Sequence, residues 1–336
     1  MRAVVVDAPE SMRVGEWETP RPAAGEVLVA VGAAGICAGD LHIYHGRNPY
    51  ATFPQICGHE IAGTVAEAGS GVTGIDLGAR VVVEPFLGCG QCYPCRMGRS
   101  NCCVRLTILG ANRAGGYAEF LTAPATHIHQ VPAGLDHTLA SFAEPVAVAV
   151  QACRRGQVTS GDYVLILGCG PIGLALIEVA RRRGAEVIAT DILPARLEVA
   201  ARLGAAVLPA DDALTKRILD RTNGEGAHVV IEATGNVRAL EQAVELVASG
   251  GRIVVVGLMK AGVEAKFPAL DFTRKEMTVV GSRASVNCFP ESLALLASGA
   301  IKYPQVASEY SMWEAPGVFA HLAENPAAVN KAVLVV

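Results

Sequence analysis

"YVLILGCGPIGLALIEVARRRGAEVIATD", residues 163–191, decides the fold of the middle of the chain. An apolar, strand-like run ends at Gly168, Gly170 and Gly173, after which the apolar residues recur with a helical period. GxGxxG placed directly between a predicted strand and a predicted helix has a physical purpose. Gly168 permits a tight turn, Gly170 lets backbone amides approach a pyrophosphate, and Gly173 allows helix and strand to pack closely. The helix N-terminus favours negative charge, and Pro171 suits its first turn. Gly168, Gly170, Pro171, Ile172 and Gly173 are therefore candidate cofactor-binding residues. Eighteen residues beyond Gly173, the next predicted strand ends in Asp191, an acid placed to accept hydrogen bonds from both ribose hydroxyls. A 2′-phosphate there would meet a carboxylate, so NAD is expected in preference to NADP. Arg196, on the following predicted helix, suits stacking on adenine or, alternatively, tolerance of a phosphate.

The same alternation continues outward. "HVVIE", "RIVVVG" and "MTVVG" read as further strands, with "PARLEVAARLG" and "VRALEQAVELVAS" as helices, which is the pattern of a doubly wound parallel sheet. Residues 1–145 have another texture: short apolar runs such as "EVLVAVGA", "IAGTVAEAG" and "RVVVEP" between Gly and Pro turns, a β-rich domain. After Gly281 the alternation stops; "PESLALLASGAI" and "APGVFAHLAENP" read as helices, and "KAVLVV" as a last strand that returns to the first domain. The expected class is α/β, and 336 residues suit two domains.

Composition excludes several functions. With 28 Lys and Arg against 32 Asp and Glu, the net charge of −4 offers no footprint for nucleic acid and no polybasic membrane patch. "MRAVVVDAPE" meets an acid and a proline too early for a signal peptide, and no apolar run reaches about 18 residues, so a cytoplasmic location is expected. Ten cysteines without a secretion signal favour metal ligation by reduced thiolates.

Two constellations carry metal chemistry. "GCGQCYPCRMGRSNCC", residues 88–103, offers Cys89, Cys92 and Cys95, with Cys102 or Cys103 as a fourth ligand, and glycine and proline turns to wrap a tetrahedral ion. Four soft thiolates leave no open position, so zinc there is structural. The second set is sparser: "GICAGDLHIYHG" supplies Cys37, Asp40, His42 and His45, and "CGHEIAG" supplies Cys57, His59 and Glu60. One thiolate, one imidazole and one carboxylate describe a catalytic zinc shell that keeps a place for substrate.

"GICAGDLHIYHG", "GHEIAGTVAEAGSGV", the four-cysteine lobe, "GGYAEF", "EPVAVAVQA", "GCGPIGL" and "GSRAS" together resemble the zinc-dependent medium-chain dehydrogenase/reductases over essentially the whole chain. "HIYHGRNPYATFP" and "SRASVNCFP" resemble the polyol and sugar-acid branch, of the L-galactonate or L-gulonate 5-dehydrogenase kind. The resemblance implies a mainly-β GroES-like catalytic domain over 1–145 and 283–336, with a Rossmann domain over 146–282 inserted in it. It also implies a homodimer or homotetramer, two zinc ions per chain and NAD. It selects Cys103 as the fourth structural ligand, and Cys37 and His59 with Glu60 or Glu144 as the catalytic shell. Arg283 resembles an arginine that reaches cofactor or substrate.

One departure concerns the proton. Relatives carry Ser or Thr two residues after the zinc-binding Cys, where this chain has Gly39, so the usual relay lacks its first member; His42 through water, or Glu60 and Glu144 exchanging places, are the replacements. The implied reaction is reversible oxidation of a secondary alcohol in a polyol or sugar acid, with zinc polarising the hydroxyl and hydride passing to NAD. A threonine-type amino-alcohol dehydrogenase and a non-catalytic NAD-binding redox sensor are the alternatives.

Overall fold

A computed structural model describes residues 1–48, 51–325 and 328–336. Pro49, Tyr50 and Pro326, within two of the stretches quoted above, lie outside the described residues. The chain forms two compact units, one of residues 1–144, 285–299 and 304–336, the other of residues 145–284 and 300–303.

The second unit is built on a six-stranded, wholly parallel sheet. In spatial order its strands are Ala206–Pro209, Glu186–Asp191, Tyr163–Leu167, Ala227–Glu232, Val247–Val255 and Thr278–Gly281. Strand order therefore reverses between Tyr163–Leu167 and Ala227–Glu232, which sets the ligand crevice at their carboxyl ends. Val164, Leu165, Ile166, Val229, Val230 and Ile231 are wholly buried, as expected when helices cover both faces. Two sequence readings need correction. Ala206–Pro209 is a sixth strand that apolar runs did not reveal, because it is a short, partly exposed edge. The helix read through "VRALEQAVELVAS" stops at Leu246, and Val247 already pairs with Ala227 in the sheet.

Strand Tyr163–Leu167 delivers the glycine loop, and helix Pro171–Arg182 leaves it. Gly168 has φ +100°, and a Cβ on Gly173 would lie 2.0 Å from the Gly168 carbonyl oxygen. The loop consequently tolerates no side chain at residue 173.

The first unit contains a seven-stranded, mostly antiparallel sheet. Its spatial order is Ala307–Ser311, Lys331–Val335, Glu26–Gly35, Glu60–Ala68, Arg80–Val83 and Ile128–Gln130, with Phe120–Pro124 also paired to Glu26–Gly35. Strand Glu26–Gly35 thus bonds to an early segment, Glu60–Ala68, and to the late strand Lys331–Val335. Val27, Val29, Ile61, Val81, Val83, Leu334 and Phe319 share one buried cluster. Full burial of each such side chain contributes roughly 1.5–3 kcal/mol. The short strand Ala307–Ser311 escaped the sequence reading, since its polar composition lacks an apolar alternation. Among the described residues no helix is long and apolar enough to cross a membrane.

Replacing Gly173 by Val should force the glycine loop away from its helix, lowering unfolding stability by about 1–3 kcal/mol. Urea denaturation of the purified variant measures this.

Candidate active site and metal centres

The early segments of the first unit converge on a buried carboxylate. Cys37 precedes the short helix Ala38–Tyr44, and the backbone N–H of Cys37 donates to Asp40 Oδ2 at 2.9 Å, so the helix start is fixed by its own third residue. Gly58 N–H donates to Asp40 Oδ1 at 3.1 Å. Gly58 must be glycine: φ is +91°, and a Cβ would lie 2.5 Å from the Tyr117 ring. That turn presents His59, whose Nδ1 lies 3.3 Å from Asp40 Oδ1. Nδ1–H donating to a carboxylate leaves Nε2 as the free lone pair for a metal. Burial opposes the charged form of both groups, yet their mutual attraction prevails: Asp40 is held below the usual carboxylate range, and the Asp40 and Cys37 side chains raise His59.

Glu60 follows as the first residue of strand Glu60–Ala68 and is wholly buried. One ligand atom each from Cys37, His59 and Glu60 fit within 4.8 Å of one another, the spread of donors around a single ion. Three donors of mixed softness fit zinc with a fourth position left open. Glu144, buried in the first turn of helix Ala143–Arg155, is outside this trio. Burial pushes its carboxyl up to about 7, opposed by His59 and reinforced by Glu60. The geometry thus favours Glu60 over Glu144 as the third donor.

A functional residue that the sequence did not disclose is Lys331. It opens the last strand, is 3% exposed, donates to the Ile36 carbonyl at 2.9 Å and forms a close ion pair with Glu60. Its only signal is a lysine opening an otherwise apolar strand, and nothing in the spacing links residue 331 to residue 60.

The remaining candidates are dispersed. His42 lies exposed on helix Ala38–Tyr44, its pKa lowered by partial burial and by Arg47 and His45. His45 pairs with Glu10 at 3.3 Å. A Cβ on Gly39 would be in ordinary contact with His59, 3.5 Å from Cε1, and 4.0 Å from Cys37 Sγ, so this position faces the trio and has room for a side chain. Cys57 is a buried thiol raised by burial, not a member of the trio.

The lobe between strands Phe86–Leu87 and Thr107–Ile108 holds the second donor set. The sulfurs of Cys89, Cys92, Cys95 and Cys103 all lie within 4.8 Å of one another, whereas Cys102 is exposed outside the group. Backbone amides of Cys89 and Arg105 both point at Cys103 Sγ, at 3.3 Å. Amides of Gln91 and Cys92, together with the Arg105 side chain, draw the Cys89 thiol down to about 5, whereas burial and the neighbouring thiols push Cys95 up to about 12, so Cys89 carries thiolate charge most readily and Cys95 least. Four converging thiolates fit a closed zinc site.

In the second unit, Asp191 ends its strand buried. Its Oδ2 accepts from Cys169 N–H at 2.8 Å, its Oδ1 from Leu193 N–H at 2.9 Å, and Arg196 approaches to 3.8 Å. Ile172 and Gly173 lie in the first turn of the helix that leaves the glycine loop. Arg283 is exposed just beyond the carboxyl end of strand Thr278–Gly281.

Two outcomes check these assignments. Cys103→Ser should cost one zinc per chain by metal analysis, with Cys102→Ser unchanged. In the zinc-free protein Lys331→Met leaves Glu60 as an uncompensated buried charge and should destabilise the fold by about 3–5 kcal/mol. Adding Glu60→Gln should recover part of that loss, measured as a double-mutant cycle in denaturant.

Residues 23–133 match the alcohol dehydrogenase GroES-like domain, and residues 171–298 match the zinc-binding dehydrogenase domain. The chain is 36% identical over 308 residues to L-galactonate-5-dehydrogenase of Escherichia coli, covering 90% of this chain and 88% of that protein. It is 39% identical over 273 residues to L-threonine 3-dehydrogenase of Pyrococcus abyssi, covering 79% and 78%. An Escherichia coli alcohol dehydrogenase solved with NADH superposes with a TM-score of 0.94 at 31% identity, covering 100% of this chain and 99% of that one. The chain belongs to the zinc-dependent medium-chain dehydrogenases and is a zinc-type alcohol or polyol dehydrogenase that uses a nicotinamide cofactor.

Proposed function

We propose that this enzyme catalyses the NAD-linked, reversible oxidation of a secondary alcohol in a polyol or sugar acid to the ketone, in the manner of an L-galactonate or L-gulonate 5-dehydrogenase. The observation that carries the reading is the open trio of Cys37, His59 and Glu60, distinct from the closed four-cysteine lobe. The L-galactonate dehydrogenase relative supports the substrate class.

Cys37, His59 and Glu60 would hold the catalytic zinc, and Cys89, Cys92, Cys95 and Cys103 the structural one. The catalytic ion, when bound, supplies a Lewis acid that polarises the substrate hydroxyl and lowers its pKa. Asp40 fixes the His59 tautomer, so the ring need not reorganise as charge develops. Lys331 compensates Glu60 and limits how far that carboxylate can swing. Glu144, with its raised pKa, is a reserve carboxylate beside the trio, able to take a proton near neutrality. His42, its pKa lowered by partial burial and by Arg47 and His45, would serve as a water-linked base for the alcohol proton. The loop Gly168–Gly173 would seat the pyrophosphate, and Asp191 the adenosine ribose. Arg196 would flank the adenine and Arg283 the other half of the cofactor or the substrate.

The L-threonine 3-dehydrogenase relative sustains a second reading, oxidation of an amino alcohol, which requires an acid to receive the substrate ammonium. A panel of aldonates, hexitols, pentitols and L-threonine, followed at 340 nm, separates the two. Highest kcat/KM on an aldonate or polyol is expected, and highest kcat/KM on L-threonine would overturn the first reading. With the best substrate NAD should exceed NADP in kcat/KM by at least about tenfold, and Asp191→Ala should erase the difference. His42→Ala with its zinc retained should lower kcat by about 100-fold, the scale of a lost general base.

A further inference from the structure

Glu232 ends strand Ala227–Glu232 and is wholly buried, yet it belongs to none of the sites described so far. Its Oε1 accepts hydrogen bonds from Thr234 N–H at 2.6 Å, Gly235 N–H at 2.9 Å and the Thr234 hydroxyl. Its carbonyl accepts from Val256 and Gly257 N–H at 2.9 and 3.0 Å. The other carboxylate oxygen, Oε2, has no hydrogen-bond partner among the described residues and faces Gly257, where a Cβ would lie 2.7 Å away. A half-satisfied buried carboxylate costs several kcal/mol, and natural chains retain such groups where function demands them.

Its location supplies that function. Leu167, Glu232 and Val255 lie in register across three neighbouring strands at their carboxyl ends, beside the point where strand order reverses. Thr234, held by Glu232, places its methyl where a Cβ on Gly168 would be 2.6 Å from it, so it packs against the first glycine of the pyrophosphate loop. The carboxylate therefore orders the loop after its own strand, whose Thr234 abuts Gly168, while the Glu232 backbone carbonyl holds the loop after strand Val247–Val255. Asp191 lies on the opposite side of the reversal and takes the adenosine half, which leaves the Glu232 side to the nicotinamide half.

We propose that Glu232 is a positioning residue for the cofactor: it sets the loops on which the nicotinamide half rests, without touching the cofactor itself. The inference rests on the reading that the cofactor is a nicotinamide dinucleotide. Direct binding titrations of the zinc-loaded enzyme with NADH and with 5′-AMP test it. In Glu232→Gln, NADH should bind about tenfold more weakly, the scale of losing charge-assisted hydrogen bonds, while 5′-AMP keeps its affinity within twofold. A purely structural role would move both ligands together or neither, and either result overturns the proposal. Should Glu232→Gln fail to fold, Thr234→Ser decides: it keeps the hydroxyl but removes the methyl from Gly168. NADH weakened about threefold with 5′-AMP unchanged supports the proposal, and no change in NADH overturns it. If the wild-type enzyme binds no NADH at all, the cofactor reading itself fails and takes this inference with it. Wild-type binding that Glu232→Gln matches refutes the inference alone.

Discussion

The buried carboxylate of Asp40 is the constraint on which the catalytic unit depends. It gathers the Cys37 amide, the Gly58 amide and the His59 imidazole, while the Tyr117 hydroxyl lies 3.0 Å from its Oδ2 and 3.1 Å from the Gly35 carbonyl. A charge removed from water must find donors on every side, and here the donors come from three separate stretches of chain. Satisfying one carboxylate therefore fixes the thiolate, the imidazole and the turn between them. Burial, reinforced by the Asp40 charge, pushes the Tyr117 phenol above its usual range, so it stays protonated as a donor.

The two donor sets illustrate opposite solutions to holding a divalent cation. In the lobe, backbone amides at 3.3 Å stabilise sulfur, and a tight turn sequence brings all four ligands from within fifteen residues. In the trio, the donors differ in softness and are supported by ionised side chains, Asp40 behind His59 and Lys331 behind Glu60. The first arrangement would saturate an ion; the second would leave the reactivity of an ion adjustable through its supporting charges.

Local rules made the glycine loop, the parallel sheet and the cysteine lobe legible, because each is encoded by short spacing: glycines at fixed offsets, apolar runs of strand length, and Cys-x2-Cys. Asp40 was visible as a nearby acid, but its role as the partner of His59 depends on a fold that joins residues 40, 58 and 117. Lys331 and Glu232 were not legible at all. A lysine and a glutamate each at the end of an apolar strand look like solvent-facing charges until the topology buries them. Spacing alone left Cys102 and Cys103 equivalent; the family resemblance selected Cys103, and the structure brings its sulfur, not that of the exposed Cys102, to the other three. The edge strand Ala206–Pro209 was missed for the converse reason, that its partial exposure weakens the apolar pattern.

The pairing of strand Glu26–Gly35 with strand Lys331–Val335 has a consequence for biosynthesis. By the time residue 303 has emerged the second unit, residues 145–284 and 300–303, is complete, and it can fold while the first sheet still lacks strands Ala307–Ser311 and Lys331–Val335. Until residue 331 emerges, Glu60 has no countercharge and strand Glu26–Gly35 shows an open edge. The catalytic half is thus the last part to mature, and during translation the nucleotide unit can close before Glu60 acquires its partner Lys331.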